Sequence, residues 1–134
     1  MANVVPDSFK TDLLKGTFNF DSSGGSTFKL ALYTNISGLT TSTTAFTTSN
    51  EVSTSGTNYT SGGNTLTNNG VSVSSNIAFV DFADLTFSSV TLSAVGALIY
   101  KSSSNEAVLV LDFGGTKTAT NGDFVVQFPT ANSS

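Results

Sequence analysis

Apolar residues in this chain alternate with polar ones far more often than they recur at helical spacing. In Phe28-Lys-Leu-Ala-Leu32, the residues Phe28, Leu30 and Leu32 fall on one face of a strand. In Ile77-Ala-Phe-Val-Asp-Phe82, Ile77 and Phe79 fall on one face and Val80 and Phe82 on the other. Gly96-Ala-Leu-Ile-Tyr100 is almost wholly apolar, the pattern of a central strand covered on both faces. Further short strands are expected at Val71 to Val73, Leu85 to Leu92, Ala107 to Phe113 and Phe124 to Phe128. Turn chemistry punctuates them: Lys101 to Glu106, the pair Gly114-Gly115 ending one strand, and Asn121-Gly122 before the last. Pro129 is expected to stop that last strand and leave a frayed tail.

Two stretches depart from this rhythm. Near the start, Pro6 with Asp7 or Ser8 opens a helix, Phe9 and Leu13 share a helical face with Leu14 beside them, and Gly16 after Lys15 stops it. The spacing predicts a short amphipathic helix over 7–15, too short to stand without docking. From Thr40 to Asn69 the chain is Ser/Thr/Asn/Gly-rich, broken by Phe46, Val52, Tyr59 and Leu66, which read as anchors of an ordered loop. The whole predicts an all-β, single-domain antiparallel β-sandwich or jelly roll of seven to nine short strands. An N-terminal arm over 1–26 precedes the β-domain over 27–134.

Composition narrows the function. The 134 residues include 21 Ser, 21 Thr and 11 Phe, but no His, Cys or Trp. Charged residues are 10% of the chain, against roughly 25% in soluble domains. All five basic residues are Lys and the net charge is −4, so the basic footprint that nucleic acid requires is missing. No apolar stretch approaches the ~20 residues of a membrane span. The opening MANVVPDSFK has neither the basic nor the apolar region of a secretory signal, so synthesis in a cytoplasm is expected.

Candidate chemistry is sparse. Without His or Cys, the usual base–nucleophile pairs are impossible. Asp81 with Asp84, and Asp112 with Asp123, could serve as carboxylate pairs or cation ligands, but Asp beside Gly or at a strand end more often shapes a turn. Gly114-Gly115-Thr116-Lys117-Thr118 resembles part of a phosphate loop; the first glycine of the full pattern would fall at Leu111, so a β-turn is expected. Tyr33, Tyr59 and Tyr100 are the rings available for stacking on a sugar. The chain is expected not to be an enzyme, with no catalytic, cofactor or metal residues. The partner-contact candidates are the apolar residues of the arm: Val4, Val5, Phe9, Leu13, Leu14, Phe18 and Phe20. They either pack on the chain's own sandwich or reach a neighbour. A composition break near Gly24-Gly25 suggests that a chain lacking residues 1–20 would still fold.

Several segments follow one another in a familiar order: Lys29-Leu-Ala-Leu-Tyr-Thr34, Glu51-Val-Ser53, Tyr59-Thr-Ser-Gly-Gly-Asn-Thr-Leu66, Ala78-Phe-Val-Asp-Phe-Ala-Asp84, Gly96-Ala-Leu-Ile-Tyr100, Val110-Leu-Asp-Phe-Gly-Gly115, Asn121-Gly-Asp-Phe124 and Phe128-Pro129. With the leader Asn3 to Gly16, they resemble a family of small virion structural proteins of tailed bacteriophages, including cyanophages. The resemblance implies a particle component, made in the bacterial host cytoplasm. It does not fix which component. Within the class, the favoured expectation is a capsid cement or decoration protein on the capsid exterior that binds the major capsid protein lattice as a homotrimer, because such a role needs no chemistry and suits a low-charge Ser/Thr surface and an apolar arm. A tail, neck or adaptor subunit, and a carbohydrate- or surface-binding module, are the alternatives.

Overall fold

The computed structural model describes residues 3–128. One helix, α1 (Asp7–Leu14), precedes six strands: β1 (Phe28–Tyr33), β2 (Asn64–Thr65), β3 (Asn68–Ser74), β4 (Ile77–Phe82), β5 (Leu85–Lys101) and β6 (Ala107–Val126). All pairing is antiparallel. A four-stranded sheet runs β2-β1-β5-β6, and β3-β4 forms a separate two-stranded ribbon. The fold is thus all-β, sandwich-like, with a short N-terminal helix. The expected stop at Pro129 and the tail beyond it lie outside the described residues.

The strands are fewer and longer than the seven to nine expected. Gly114-Gly115 and Asn121-Gly122 do not end strands: β6 runs through both as irregularities in its pairing with β5. Ala94 faces Lys117 while Gly96 faces Asp112, so β6 accommodates Phe113 to Thr116 as a large bulge. Asn121 takes a left-handed φ of 46° inside the strand, and Thr91 Oγ1 accepts its N–H at 3.0 Å. Bulges absorb turn-prone residues without breaking a ladder, and they bend the ribbon.

The sheet is covered on both faces around β1 and β5. Phe28, Leu30 and Leu32 join Ala97, Ile99 and Val108 on one face, covered by Phe18, Val52, Tyr59 and Leu66. Ala31, Tyr33, Leu98 and Tyr100 lie on the other, covered by Ile36 and Leu39, with Val4 and Phe46 at the margin. The covering layers are therefore largely loop and arm, joined on the first face by Phe82 of β4, which packs against Phe28. Gly96 to Tyr100 is central and buried, as its apolar run predicts. The Thr40–Asn69 stretch is pinned where the anchors were expected. Phe46 stacks on Tyr100 at 4.5 Å, and the N–H groups of Val52 and Leu66 donate to Leu32 O and Phe28 O.

Candidate functional site

Pro6 precedes α1 in extended conformation and Asp7 sits in its first turn. The helix ends one residue before the predicted boundary, at Leu14. Gly16 follows with φ 78°, where an L side chain would be strained. The Gly16 N–H donates to Leu13 O and the Thr17 N–H to Asp12 O, a Schellman motif. This closure turns the chain back so that Phe18 and Phe20 follow Phe9 inward. Phe9 and Phe18 lie 5.0 Å apart, Phe20 stacks on Phe28 at 4.8 Å, and Phe28 meets Phe82 edge-on at 5.7 Å.

Polar contacts fix the arm as well. Val4 exchanges both backbone hydrogen bonds with Val110, at 2.9 and 2.8 Å, blocking part of the open edge of β6. Lys101 Nζ donates to Thr17 O at 2.9 Å, and Asn68 Nδ2 to Phe20 O at 2.9 Å. The arm and the β-domain thus share one core.

The seven candidate contact residues divide accordingly. Val4, Phe9, Phe18 and Phe20 face the chain's own body, and Phe18 is buried. Val5, Leu13 and Leu14 face solvent, with Leu14 91% exposed at the helix end. A second set of exposed apolar residues, Val71, Val73, Ile77 and Val80, lies on the β3–β4 ribbon. The alternation of Val71 and Val73 marked the ribbon as strand, but exposure depends on what lies opposite.

The remaining candidates are engaged in local structure. Asp81 accepts from Asn69 Nδ2 at 2.8 Å, Asp84 from the Phe128 N–H at 2.8 Å, and Asp123 from the Ser89 N–H at 3.2 Å. Asp112 accepts from the Gly114 N–H at 2.9 Å, which holds its carboxyl below the usual range. Among the described residues no three or more His, Cys, Asp or Glu form a group able to hold a metal ion. The Gly114–Thr118 segment, expected as a β-turn, lies within β6: Gly114 to Thr116 fall in the bulge, and Lys117 and Thr118 pair with Ala94 and Ser93. Beside it, Phe113, Lys117, Asp123 and Phe124 help line an open cleft of about 360 Å³.

The structure brings the three tyrosines together. They gather around Glu51, a grouping that sequence separation conceals. Tyr59 Oη accepts the Leu32 N–H at 3.0 Å and donates to Glu51 Oε2 at 2.8 Å. The Gly62 N–H donates to the same oxygen at 2.6 Å, and Ser61 Oγ to Oε1 at 2.8 Å. Tyr100 Oη donates to Gly62 O and Tyr33 Oη to Thr47 O, each at 2.6 Å. Burial, with the Glu51 charge adding to it, pushes all three phenols above their ordinary pKa. With exposures of 0 to 3%, these rings hold the long loop to the sheet and present no stacking platform.

Compared with known protein families, curated proteins and solved structures, the chain has no match.

Proposed function

We propose that this chain is a structural subunit of a tailed-phage virion, and within that class a capsid cement or decoration protein. In this reading it sits on the capsid exterior as a homotrimer bound to the major capsid protein, and its role is mechanical rather than catalytic. The observation that carries the reading is the two-sided arm. Its aromatic side is bonded into the protein's own core, while Leu13 is partly exposed and Leu14, at the helix end, almost wholly so. A contact on such an arm transmits load directly into the sheet. The low-charge Ser/Thr surface suits close approach to neighbours, because few ions must be desolvated. Symmetry then multiplies a modest contact over many copies. The ordered sequence resemblance described above supports the same class.

A tail, neck or adaptor position is the second reading, since the same features serve a ring of few subunits. The test is copy number in purified virions, by quantitative mass spectrometry against the major capsid protein. Hundreds of copies per particle are expected for a cement protein. A dozen or fewer would move the chain to the tail or neck, and absence from particles would refute the virion reading.

A further inference from the structure

β6 bends at its irregularities. The bulge over Phe113 to Thr116 and the shifts on either side of Val90 let residues 113–118 and 123–127 of one strand flank the same open cleft. Its volume of about 360 Å³ is at the lower end of the roughly 300–1,000 Å³ of small-ligand sites. Phe124 is buried, pairs with Phe87 and packs edge-on against that ring at 6.5 Å. Phe113 is half-buried, with its centroid 6.0 Å from Phe124, so a partly open ring rests on a fixed base. Lys117, Thr118, Asp123 and Gln127 add polar groups to the lining. Asp123 Oδ1 accepts the Ser89 N–H at 3.2 Å. Among the described residues, Asp123 Oδ2, the Lys117 ammonium and the Gln127 side-chain amide have no partner.

We infer that this cleft binds a neutral hexopyranose, as a free sugar or as one unit of a glycan. Charge makes the first selection. An anion would meet Asp123, and a cation would meet Lys117. A wholly apolar guest would strip water from both charges and return no hydrogen bond. A zwitterion could address both, but both side chains are exposed, and an ion pair in water gains little. The guest that fits is uncharged, apolar on one side, and edged by groups that both donate and accept. A pyranose has that build: its ring C–H bonds form the apolar side and its hydroxyls the edge. The C–H side lies on Phe113. One hydroxyl donates to Asp123 Oδ2, and others accept from Lys117 Nζ and Gln127 Nε2. The cleft thus supplies the open aromatic face that the buried tyrosines around Glu51 do not. The inference does not rest on the virion reading, and absence from particles would leave it standing.

The test is a chemical-shift titration of the isotope-labelled full-length chain with the methyl glycosides of glucose, galactose and mannose, each to about 100 mM. At least one should give saturable shifts centred on Phe113, Lys117, Asp123 and Gln127, with a Kd of about 1–10 mM, as a few open contacts allow. Lys117→Ala and Gln127→Ala remove no described side-chain bond within the chain. Each should weaken binding about three- to tenfold, the worth of one hydrogen bond, with unchanged circular dichroism. Tighter binding of a trisaccharide of the same sugar would assign the cleft to a glycan chain, and equal binding to a free sugar or a chain end. No saturation by any of the three glycosides, shifts centred elsewhere, undiminished binding by both variants, or tighter binding of free leucine or acetate would each overturn the proposal.

Discussion

Replacing Phe18 with alanine asks whether the arm belongs to the core or merely lies on it. Phe18 is 7% exposed, with ring centroids of Phe9, Phe20 and Phe28 at 5.0, 6.1 and 6.2 Å. Emptying a buried phenylalanine site costs about 3–5 kcal/mol, the spread reflecting how far the surroundings collapse. Phe9 and Phe20 are only half-buried and can lean into the space, so the low end, about 3 kcal/mol, is expected. For a domain of this size that lowers the melting temperature by about 10 °C. The assay is urea and thermal unfolding followed by circular dichroism, with Leu14→Ala as the control. Leu14 is 91% exposed, and its truncation should change stability by less than about 0.5 kcal/mol. A chain without residues 1–20 loses Phe9, Phe18 and Phe20 together. Its deficit, about 8 kcal/mol, is comparable with the whole stability of a typical domain. The truncated chain should therefore not fold, contrary to the expectation from composition. A Phe18→Ala cost below about 1 kcal/mol would refute the shared core.

Other consequences are as direct. All three tyrosines are buried with raised pKa, so their folded-state phenols stay protonated where unfolded ones ionise, above about pH 10. Their contribution to stability is complete below that pH and is lost as pH rises beyond it. Absorbance at 295 nm should therefore rise only together with loss of the β-sheet signal; ionisation of the tyrosines in a still-folded chain would contradict the burial. Gly63 has φ 77° and a Cβ there would lie 1.8 Å from Leu30 O, so Gly63→Ala should cost at least about 3 kcal/mol in urea unfolding. Gly114, at φ 78° but facing open space, should tolerate alanine at a cost of about 1–2 kcal/mol. Equal costs at the two glycines would remove the steric distinction.

Strand identity was legible along the chain because its patterns are local: the alternation of Phe28 to Leu32 and Ile77 to Phe82, and the short apolar run of Gly96 to Tyr100, each declare a pleated segment within a few residues. The helix and its stop were equally local, since the Schellman closure at Gly16 needs only neighbouring carbonyls. The anchors Phe46, Val52, Tyr59 and Leu66 stood out as apolar residues in a polar stretch, and such residues have nowhere else to go. Whether Gly114-Gly115 and Asn121-Gly122 turn the chain or bulge within it could not be read locally. Left-handed backbone suits both, and the choice fell to β5, which continues alongside and keeps the ladder paired. The Tyr33–Tyr59–Tyr100 grouping around Glu51 likewise exists only once β1, β5 and the long loop converge. The arm was visible as apolar in sequence, but its division into inward Phe9, Phe18 and Phe20 and outward Leu13 and Leu14 was not. The sequence by itself determined which segments must bury a face, since that follows from the spacing of side chains along one strand or helix. Only the tertiary structure decided which faces found a partner within the chain and which, on the arm and the β3–β4 ribbon, were left facing water, because burial is a property of what packs opposite.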